Sequence, residues 1–195
     1  VFHGKEAWLS EKLTTAGFDV DMSALRIAPI DPTFVVSLAA WTRKHRLNVL
    51  HSHELMMSFY AGAAGLLSGA PHVITMHGGK RFAEDARRRR ALRWSAERSA
   101  ALVGVSESTC AHLAESLDFD RARVELVTNG VAASSGNRVA ARTALGMLDG
   151  QRLLLAVGNL YAVKGHRVLI DAASRLARQP DLPEWCLAIA GRGEE

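Results

Sequence analysis

Short apolar segments alternate with amphipathic stretches along the whole chain. Of all the features of the sequence, this alternation most limits the folds that the chain can adopt. Segments this short and apolar are typical of strands buried on both faces of a sheet. They occupy residues 49–51, 73–76, 101–105, 124–127, 153–157 and 187–190. Strands that alternate with helices are joined by parallel crossovers, so the pattern predicts an α/β protein with parallel, doubly wound sheets.

The segments between these strands carry helix signals. Asp31 followed by Pro32 is a typical helix start, because a capping residue precedes a proline at the first helical position. Ser106 is placed to cap another helix, and Gly17 to end a helix over residues 5–15.

Residues 132–137 interrupt the pattern, because they are small and polar and lack periodicity. We therefore predict a domain boundary, with an N-terminal domain over residues 1–133 and a C-terminal domain over residues 134–195. Val1 and Glu195 lie in segments that resemble the end of a strand and the middle of a loop. We expect both ends to be cuts in a longer polypeptide, so that the first domain is truncated at its start and the second is only begun.

Composition limits the partners more than it identifies them. The chain has 195 residues, a formal net charge of +4 and 6% aromatic residues. This mild excess of base suits an anionic ligand, but the aromatic residues do not interleave with basic ones, so we expect no nucleic-acid partner. Cys110 and Cys186 lack a metal-binding spacing and are expected to be reduced thiols. With no signal peptide and no apolar stretch long enough to span a bilayer, the sequence favours a cytoplasmic protein.

Polar residues and glycines follow all six predicted strands. Ligands of parallel sheets bind at the carboxyl ends of the strands, so these residues are the candidates for a site. They include His53, His77, Gly78, Ser106, Glu107, Asn129, Gly158, Asn159, Gly191 and Gly193. Six such strand ends in succession predict one continuous ligand cleft.

The segment after the fifth strand has the features of an anion site. Gly158 follows the strand directly, and Lys164 and Gly165 precede a helix. Backbone N–H groups, a lysine and a helix N-terminus then meet at one point, which suits a diphosphate. It is not a Walker loop, because the spacing and the Ser or Thr after the lysine are missing. Taken alone, the segment fits a tight turn with a solvent-facing lysine better.

The histidines at the first two strand ends allow more than one interpretation. His77 either faces a sugar or phosphate, or caps the next helix or fills a pocket at the strand end. His51 and His53 lie two residues apart on one face of a strand, as a pair of metal ligands could. Because no convincing third ligand accompanies them, we expect no bound metal.

Four arginines at residues 87–90 lie in a predicted helix over residues 82–100. Glu84 can pair with Arg88, and Asp85 with Arg89, at a spacing of four residues, which favours a solvated helix face. The alternative is contact with an anionic membrane surface or a phosphorylated acceptor. The run is too short to decide between them.

In this order and spacing, the segments resemble the retaining glycosyltransferases of family 4, also called group 1, which have the GT-B fold. The resemblance covers essentially all 195 residues. It rests on residues 51–54, 75–78, 105–107, 129–131, 142–146, 157–165 and 190–194. It implies two Rossmann-like domains, the first binding the acceptor and the second the donor, which would be a nucleotide-diphosphate sugar.

The same resemblance assigns roles to the candidate residues. Lys164 would contact the donor diphosphate, and His77 would lie near the transferred sugar. The other donor-binding residues would be Gly158, Asn159, Gly165, Gly191 and Gly193, the last two by letting the backbone approach the nucleotide. The residues of the cleft and the acceptor side would be His53, Gly78, Ser106, Glu107 and Asn129. The acceptor would be a carbohydrate or a lipid-linked molecule, and transfer would need no metal or other cofactor.

The chain departs from the family pattern in places. Asn159 stands where many members carry arginine, so the grip on phosphate would depend more on Lys164 and the helix end. The family's glycine-rich loop would precede Val1 and its paired glutamates would follow Glu195, so we expect the 195 residues alone to be inactive. A sugar-nucleotide 2-epimerase of similar fold and a non-catalytic nucleotide-binding remnant remain the alternatives.

Overall fold

The computed structural model describes residues 7–20, 31–78, 83, 85–133 and 135–193. The chain divides into two compact units, Val1–Val131 and Ala132–Glu195. The first contains a four-stranded parallel sheet and the second a parallel pair of strands. The predicted parallel α/β architecture is therefore confirmed. Within the ranges given, no helix is both long enough and apolar enough to cross a membrane.

In the first unit, helices alternate with strands along the chain. The elements are α1 (Ala7–Thr15), α2 (Pro32–Lys44), β1 (Leu50–His53), α3 (Glu54–Ser68), β2 (His72–Met76), α4 (Ala86–Glu97), β3 (Ala101–Gly104), α5 (Glu107–Leu117), a 3-10 turn (Arg121–Arg123) and β4 (Val124–Leu126). The four strands lie side by side in chain order. Because Leu50 pairs with His72 and Met76 with Gly104, the carboxyl ends of β1, β2 and β3 meet at one edge of the sheet.

The start of α2 follows its sequence signals. Asp31 Oδ1 accepts hydrogen bonds from the N–H groups of Thr33 (2.9 Å) and Phe34 (3.4 Å), and Pro32 occupies the first helical position. The cap satisfies N–H groups that have no partner inside the helix. The helix packs against α3, where Phe34 meets Tyr60 edge-on with 5.1 Å between ring centroids. The helix start predicted at Asp31 and Pro32 is confirmed.

Two clusters of buried apolar side chains hold the first unit together. One joins the sheet to α4 and α5 and comprises Ile74, Met76, Leu92, Ala96, Leu102, Cys110, Leu113, Ala114, Leu117 and Val124. The other joins α2, α3 and β1 and comprises Phe34, Val35, Leu38, Ala39, Leu50, Tyr60 and Ala64. Removing this apolar area from water is the main favourable term in folding. It also fixes the helices against the strands, and with them the strand ends.

Helix α5 lies very close to the end of β3 at Gly104. A Cβ atom there would lie 2.6 Å from Cys110 Sγ and 3.0 Å from the Cys110 backbone nitrogen. Gly104→Ala should therefore displace α5 and lower the free energy of unfolding by about 1–3 kcal/mol, as measured by urea unfolding. Gly130→Ala is the control, because a Cβ atom at Gly130 meets no atom within 4 Å. Equal losses in the two variants would contradict this account.

The helix that carries the arginine run is shorter than predicted. It is α4, which starts only after Asp85, because the Asp85 carboxylate caps the N–H groups of Arg87 and Arg88. Asp85 also pairs with Arg88 at 3.7 Å, so the predicted pairing of Asp85 with Arg89 is wrong. The predicted pairing of Glu84 with Arg88 lies outside the described residues.

The second unit is built around its two strands. Its elements are α6 (Arg138–Ala144), β5 (Arg152–Val157), a 3-10 turn (Ala162–Lys164), α7 (His166–Leu176) and β6 (Trp185–Ala190). The strands pair in parallel from Arg152 with Trp185 to Val157 with Ala190. Arg142 of α6 donates hydrogen bonds to the carbonyl oxygens of Leu148 (2.9 Å) and Gln151 (3.0 Å). This arginine therefore holds the turn that leads into β5.

Candidate active site

Three histidines form a row at the ends of β1 and β2, named here the histidine row: His51, His53 and His77. The ring centroids of His51 and His53 are 4.5 Å apart, and those of His53 and His77 are 5.0 Å apart and stacked. His53 Nδ1 lies 2.8 Å from His77 Nε2, and His51 Nε2 lies 2.8 Å from Thr75 Oγ1. β1 runs to His53 and not to the predicted His51, because the alternation of buried and exposed side chains continues through Ser52. The predicted placement of His51 and His53 on one face is confirmed.

Glu54 contacts the histidine row although it was not among the predicted site residues. Its Oε1 accepts a hydrogen bond from the His77 backbone N–H at 3.0 Å. Glu54 has a φ of +64°, in the left-handed region, which costs a non-glycine residue about 1–3 kcal/mol. This strain lies where the chain turns sharply from β1 into α3. The turn aims the Glu54 carboxylate at the end of β2 and so ties the two strand ends together.

Within the histidine row, the surroundings of His53 favour a neutral imidazole. Burial, followed by the charges of His51 and His77, lowers the pKa of His53 below its ordinary value of 6.5. A neutral ring donates through one nitrogen and accepts through the other, which suits hydroxyl groups. In the part of the chain that the structure describes, no group of three His, Cys, Asp or Glu side chains could hold a metal ion. Metal independence of the site stays a prediction.

A buried polar cluster lies beneath the row and consists of Ser52, Ser58, His72 and Ser95. Ser58 Oγ donates to the Glu54 carbonyl oxygen (2.6 Å), and Ser52 Oγ donates to Ser58 Oγ (3.1 Å). With its own proton used in this way, Ser52 accepts from His72 Nε2 at 2.7 Å. His72 Nδ1 is buried and has no hydrogen-bond partner among the described residues. Sequence reasoning missed this cluster, because its members come from four separate elements, β1, α3, β2 and α4.

Two candidate residues at the end of β3 already have structural partners. Ser106 Oγ accepts from the Thr109 N–H at 3.1 Å, which confirms the predicted helix cap. Glu107 forms an ion pair with Arg121 at 2.8 Å, and this hydrogen-bonded guanidinium lowers the pKa of the Glu107 carboxyl. Their roles in a ligand cleft stay predictions.

The other two candidates on this side are Gly78 and Asn129. Gly78, beyond β2, has a φ of +128°, a conformation that favours glycine. Asn129 is exposed, three residues beyond the end of β4. The structure therefore brings His53 and His77 into direct contact, whereas no hydrogen bond joins Asn129 to either of them among the described residues.

In the second unit, residues 158–165 form the loop between β5 and α7, named here the β5 loop. The Lys164 N–H donates to the Tyr161 carbonyl oxygen (2.8 Å), and the Gly165 N–H to that of Ala162 (3.1 Å). Gly165 then reverses the chain with a φ of +70°, and α7 begins at His166 without a side-chain cap. The Lys164 side chain is exposed. Lysine, loop and helix N-terminus therefore follow β5 in the predicted order.

Gly191 and Gly193 pack directly against the β5 loop. The Gly158 N–H donates to the Ala190 carbonyl oxygen (2.9 Å), and the Leu160 N–H to that of Arg192 (2.8 Å). A Cβ atom on Gly191 would collide with the Gly158 carbonyl group, and one on Gly193 with that of Leu160. The two glycines are thus needed for contact between two loops, a reason separate from the predicted approach to a nucleotide.

Alanine at position 191 should separate these two loops. Because the added Cβ would meet backbone that cannot rotate away, we expect Gly191→Ala to lower the free energy of unfolding by about 1–3 kcal/mol. Chemical denaturation measures this change. Gly136→Ala is the matched control in the same unit, since its Cβ would have no neighbour within 4 Å. An unchanged stability for Gly191→Ala would show that the loops do not need this contact.

Several solved structures share the fold of the chain. HepE of Anabaena, in complex with UDP and glucose, matches with a TM-score of 0.75 at 14% identity, over 99% of this chain and 54% of HepE. A glycosyltransferase of Rickettsia africae ESF-5 matches with a TM-score of 0.68 at 15% identity, over 95% of this chain and 50% of that protein. The chain thus spans about half the length of these proteins. At such identities the likeness shows the fold alone, and it confirms the GT-B class predicted from the sequence.

The family is shown by the sequence itself. No curated protein matches the chain. The profile of Glycosyltransferase Family 4, however, matches residues 9–135, which is more than half of the chain. This range includes the histidine row, Glu54 and the cap at Ser106, so the predicted resemblance is confirmed. The chain belongs to Glycosyltransferase Family 4.

Proposed function

We propose that the protein transfers a sugar from a nucleotide-diphosphate sugar to an acceptor hydroxyl group, with retention of configuration. The observation that carries this proposal is the β5 loop, where Lys164 directly precedes the turn into α7. Neutralising a diphosphate is what a lysine and an uncapped helix N-terminus are suited to do. Membership of Glycosyltransferase Family 4 supports the reaction class.

The donor is proposed from the same loop and from the fold. HepE of Anabaena, which shares the fold, has been crystallised with UDP-glucose, with UDP and glucose, and with UDP. A uridine diphosphate sugar is therefore the first donor to test. In the transition state the departing diphosphate gains negative charge. Preorganised groups at the β5 loop would stabilise that charge without a metal.

The acceptor side is proposed to lie on the first unit. His77 is held by two partners, the His53 ring at its side chain and the Glu54 carboxylate at its backbone N–H. A histidine fixed in this way could present a single ring nitrogen to a sugar hydroxyl. The proposed acceptor is a carbohydrate or a lipid-linked molecule.

Titration of 15N-labelled protein with UDP tests the donor site. We expect shifts of the amide resonances of residues 158–165. They should weaken in Lys164→Ala but persist in Lys44→Ala, which removes an exposed lysine from α2. If UDP, GDP and ADP all left the loop unchanged, the donor site would be abandoned. A product assay then separates a glycosyltransferase from the alternative, a sugar-nucleotide 2-epimerase. The transferase yields a transferred sugar, and the epimerase yields a free epimer.

A peripheral membrane contact through α4 is also proposed. Arg87, Arg88, Arg89 and Arg90 are all exposed in the first turns of this helix. Each basic residue near an anionic surface contributes about 1 kcal/mol. The protein should therefore sediment with anionic vesicles. The variant with all four arginines changed to glutamine should stay in the supernatant. Equal binding to neutral and anionic vesicles would rule out this contact.

A further inference from the structure

The β5 loop is held along one edge by the end of β6 and the residues just after it. The Gly158 N–H donates to the carbonyl oxygen of Ala190, the last residue of β6, and the Leu160 N–H donates to that of Arg192. In extended backbone, successive residues point their hydrogen-bonding groups to opposite sides. Asn159, which lies between them, therefore directs its carbonyl oxygen away from β6. That oxygen accepts a hydrogen bond from the Tyr161 N–H at 2.9 Å, and its second lone pair can accept from another donor.

His166 supplies this second donor. Its Nε2 lies 3.0 Å from the Asn159 carbonyl oxygen, across the mouth of the loop. A carbonyl oxygen can only accept, so Nε2 carries the hydrogen. His166 is 7% exposed, and it is the buried residue of α7 although it stands at the exposed start of the helix. The loop is thus fixed along both edges, by β6 on one side and by His166 on the other.

The contact between His166 and the β5 loop matters because the Asn159 side chain has no charge. Its side chain is exposed and neutral. A neutral amide binds phosphate only through a hydrogen bond, which weakens steeply with angle and distance, whereas a charge acts over a longer range. An asparagine at this position can contribute only if its backbone is held still. Resting on the proposed function, we propose that His166 is a positioning residue that fixes Asn159 for binding the donor diphosphate.

Two amide variants separate positioning from packing. His166→Gln places an amide nitrogen near the location of Nε2 and can still reach the Asn159 oxygen. His166→Asn carries the same polar group but ends near the location of Nδ1, so it cannot reach. The full 195-residue chain is used for both. Carbon-13 NMR of the Asn159 carbonyl, amide hydrogen exchange of Lys164 and Gly165, and UDP affinity are measured, with urea unfolding as the check on the fold.

We expect His166→Asn to shift the Asn159 carbonyl resonance. Exchange of the loop amides should be about tenfold faster and UDP binding about tenfold weaker, since one hydrogen bond of ordinary strength is lost. His166→Gln should stay close to the original protein in all three measurements. The unfolding midpoints of the two variants should agree.

Two results would overturn the proposal. One is an equal change in both variants that follows a drop in their unfolding midpoints, which would make His166 a packing residue. The other is an unchanged carbonyl resonance in His166→Asn. If UDP, GDP and ADP all left the loop resonances of the original protein unchanged, the proposed donor function would fail. The carbonyl shift and the exchange rates would still decide whether His166 holds Asn159.

Discussion

Lys164→Ala should remove roughly 2–4 kcal/mol of transition-state stabilisation from the proposed sugar transfer, a loss of about 30-fold to 1000-fold in kcat/KM. The reason is the distribution of charge in the β5 loop. Lys164 is the one cationic residue of residues 158–165, because Asn159 supplies no charge. The partial charge at the start of α7 is then the remaining positive group of the loop, and it is small.

The measurement is steady-state transfer kinetics, on any form of the protein that transfers sugar. Lys164→Arg keeps the charge and should recover part of the rate, although the guanidinium has a different shape. Lys44→Ala should leave kcat/KM unchanged, since Lys44 is an exposed residue of the last turn of α2. An unchanged kcat/KM in Lys164→Ala would remove this lysine from the mechanism.

The features that sequence reasoning found are those set by neighbours in the chain. Asp31 and Ser106 cap helices that start directly after them, so both signals lie within four residues. The parallel fold follows in the same way from the alternation of apolar runs and helices. The loop from Gly158 to Lys164 was also predicted from the sequence, because its glycine, its lysine and the start of the next helix lie close together in the chain.

The missed features depend on the pairing of distant residues. The bond between His53 and His77, and that between Ser52 and His72, each join residues 20 or more positions apart. Both exist because β1 pairs with β2 in one register, with Leu50 opposite His72. A local pattern predicts that strands pair but does not give this register. The left-handed conformation of Glu54 could not be predicted from the sequence either, because glutamate rarely adopts it.

The buried polar cluster predicts that the protein loses stability in acid. Burial, followed by the charge of His51, lowers the pKa of His72 from an ordinary value of 6.5 to about 4. Between these two values the unfolded chain binds a proton at His72 and the folded protein does not. Stability therefore falls as the pH drops from 7 toward 4, and His72 contributes up to about 3 kcal/mol to the loss.

Urea unfolding at several pH values between 7 and 4.5 tests this claim, with His72→Gln as the comparison. Glutamine can still donate to Ser52 at the place of Nε2, but it does not take up a proton. The original protein should hold its largest advantage over His72→Gln at pH 7 and lose it as the pH falls. The pKa of His53 is also lowered, but His53 is much more exposed to solvent than His72, so His53→Gln should change the pH dependence much less. An advantage over His72→Gln that stayed constant from pH 7 to 4.5 would mean that the buried imidazole does not limit stability in acid.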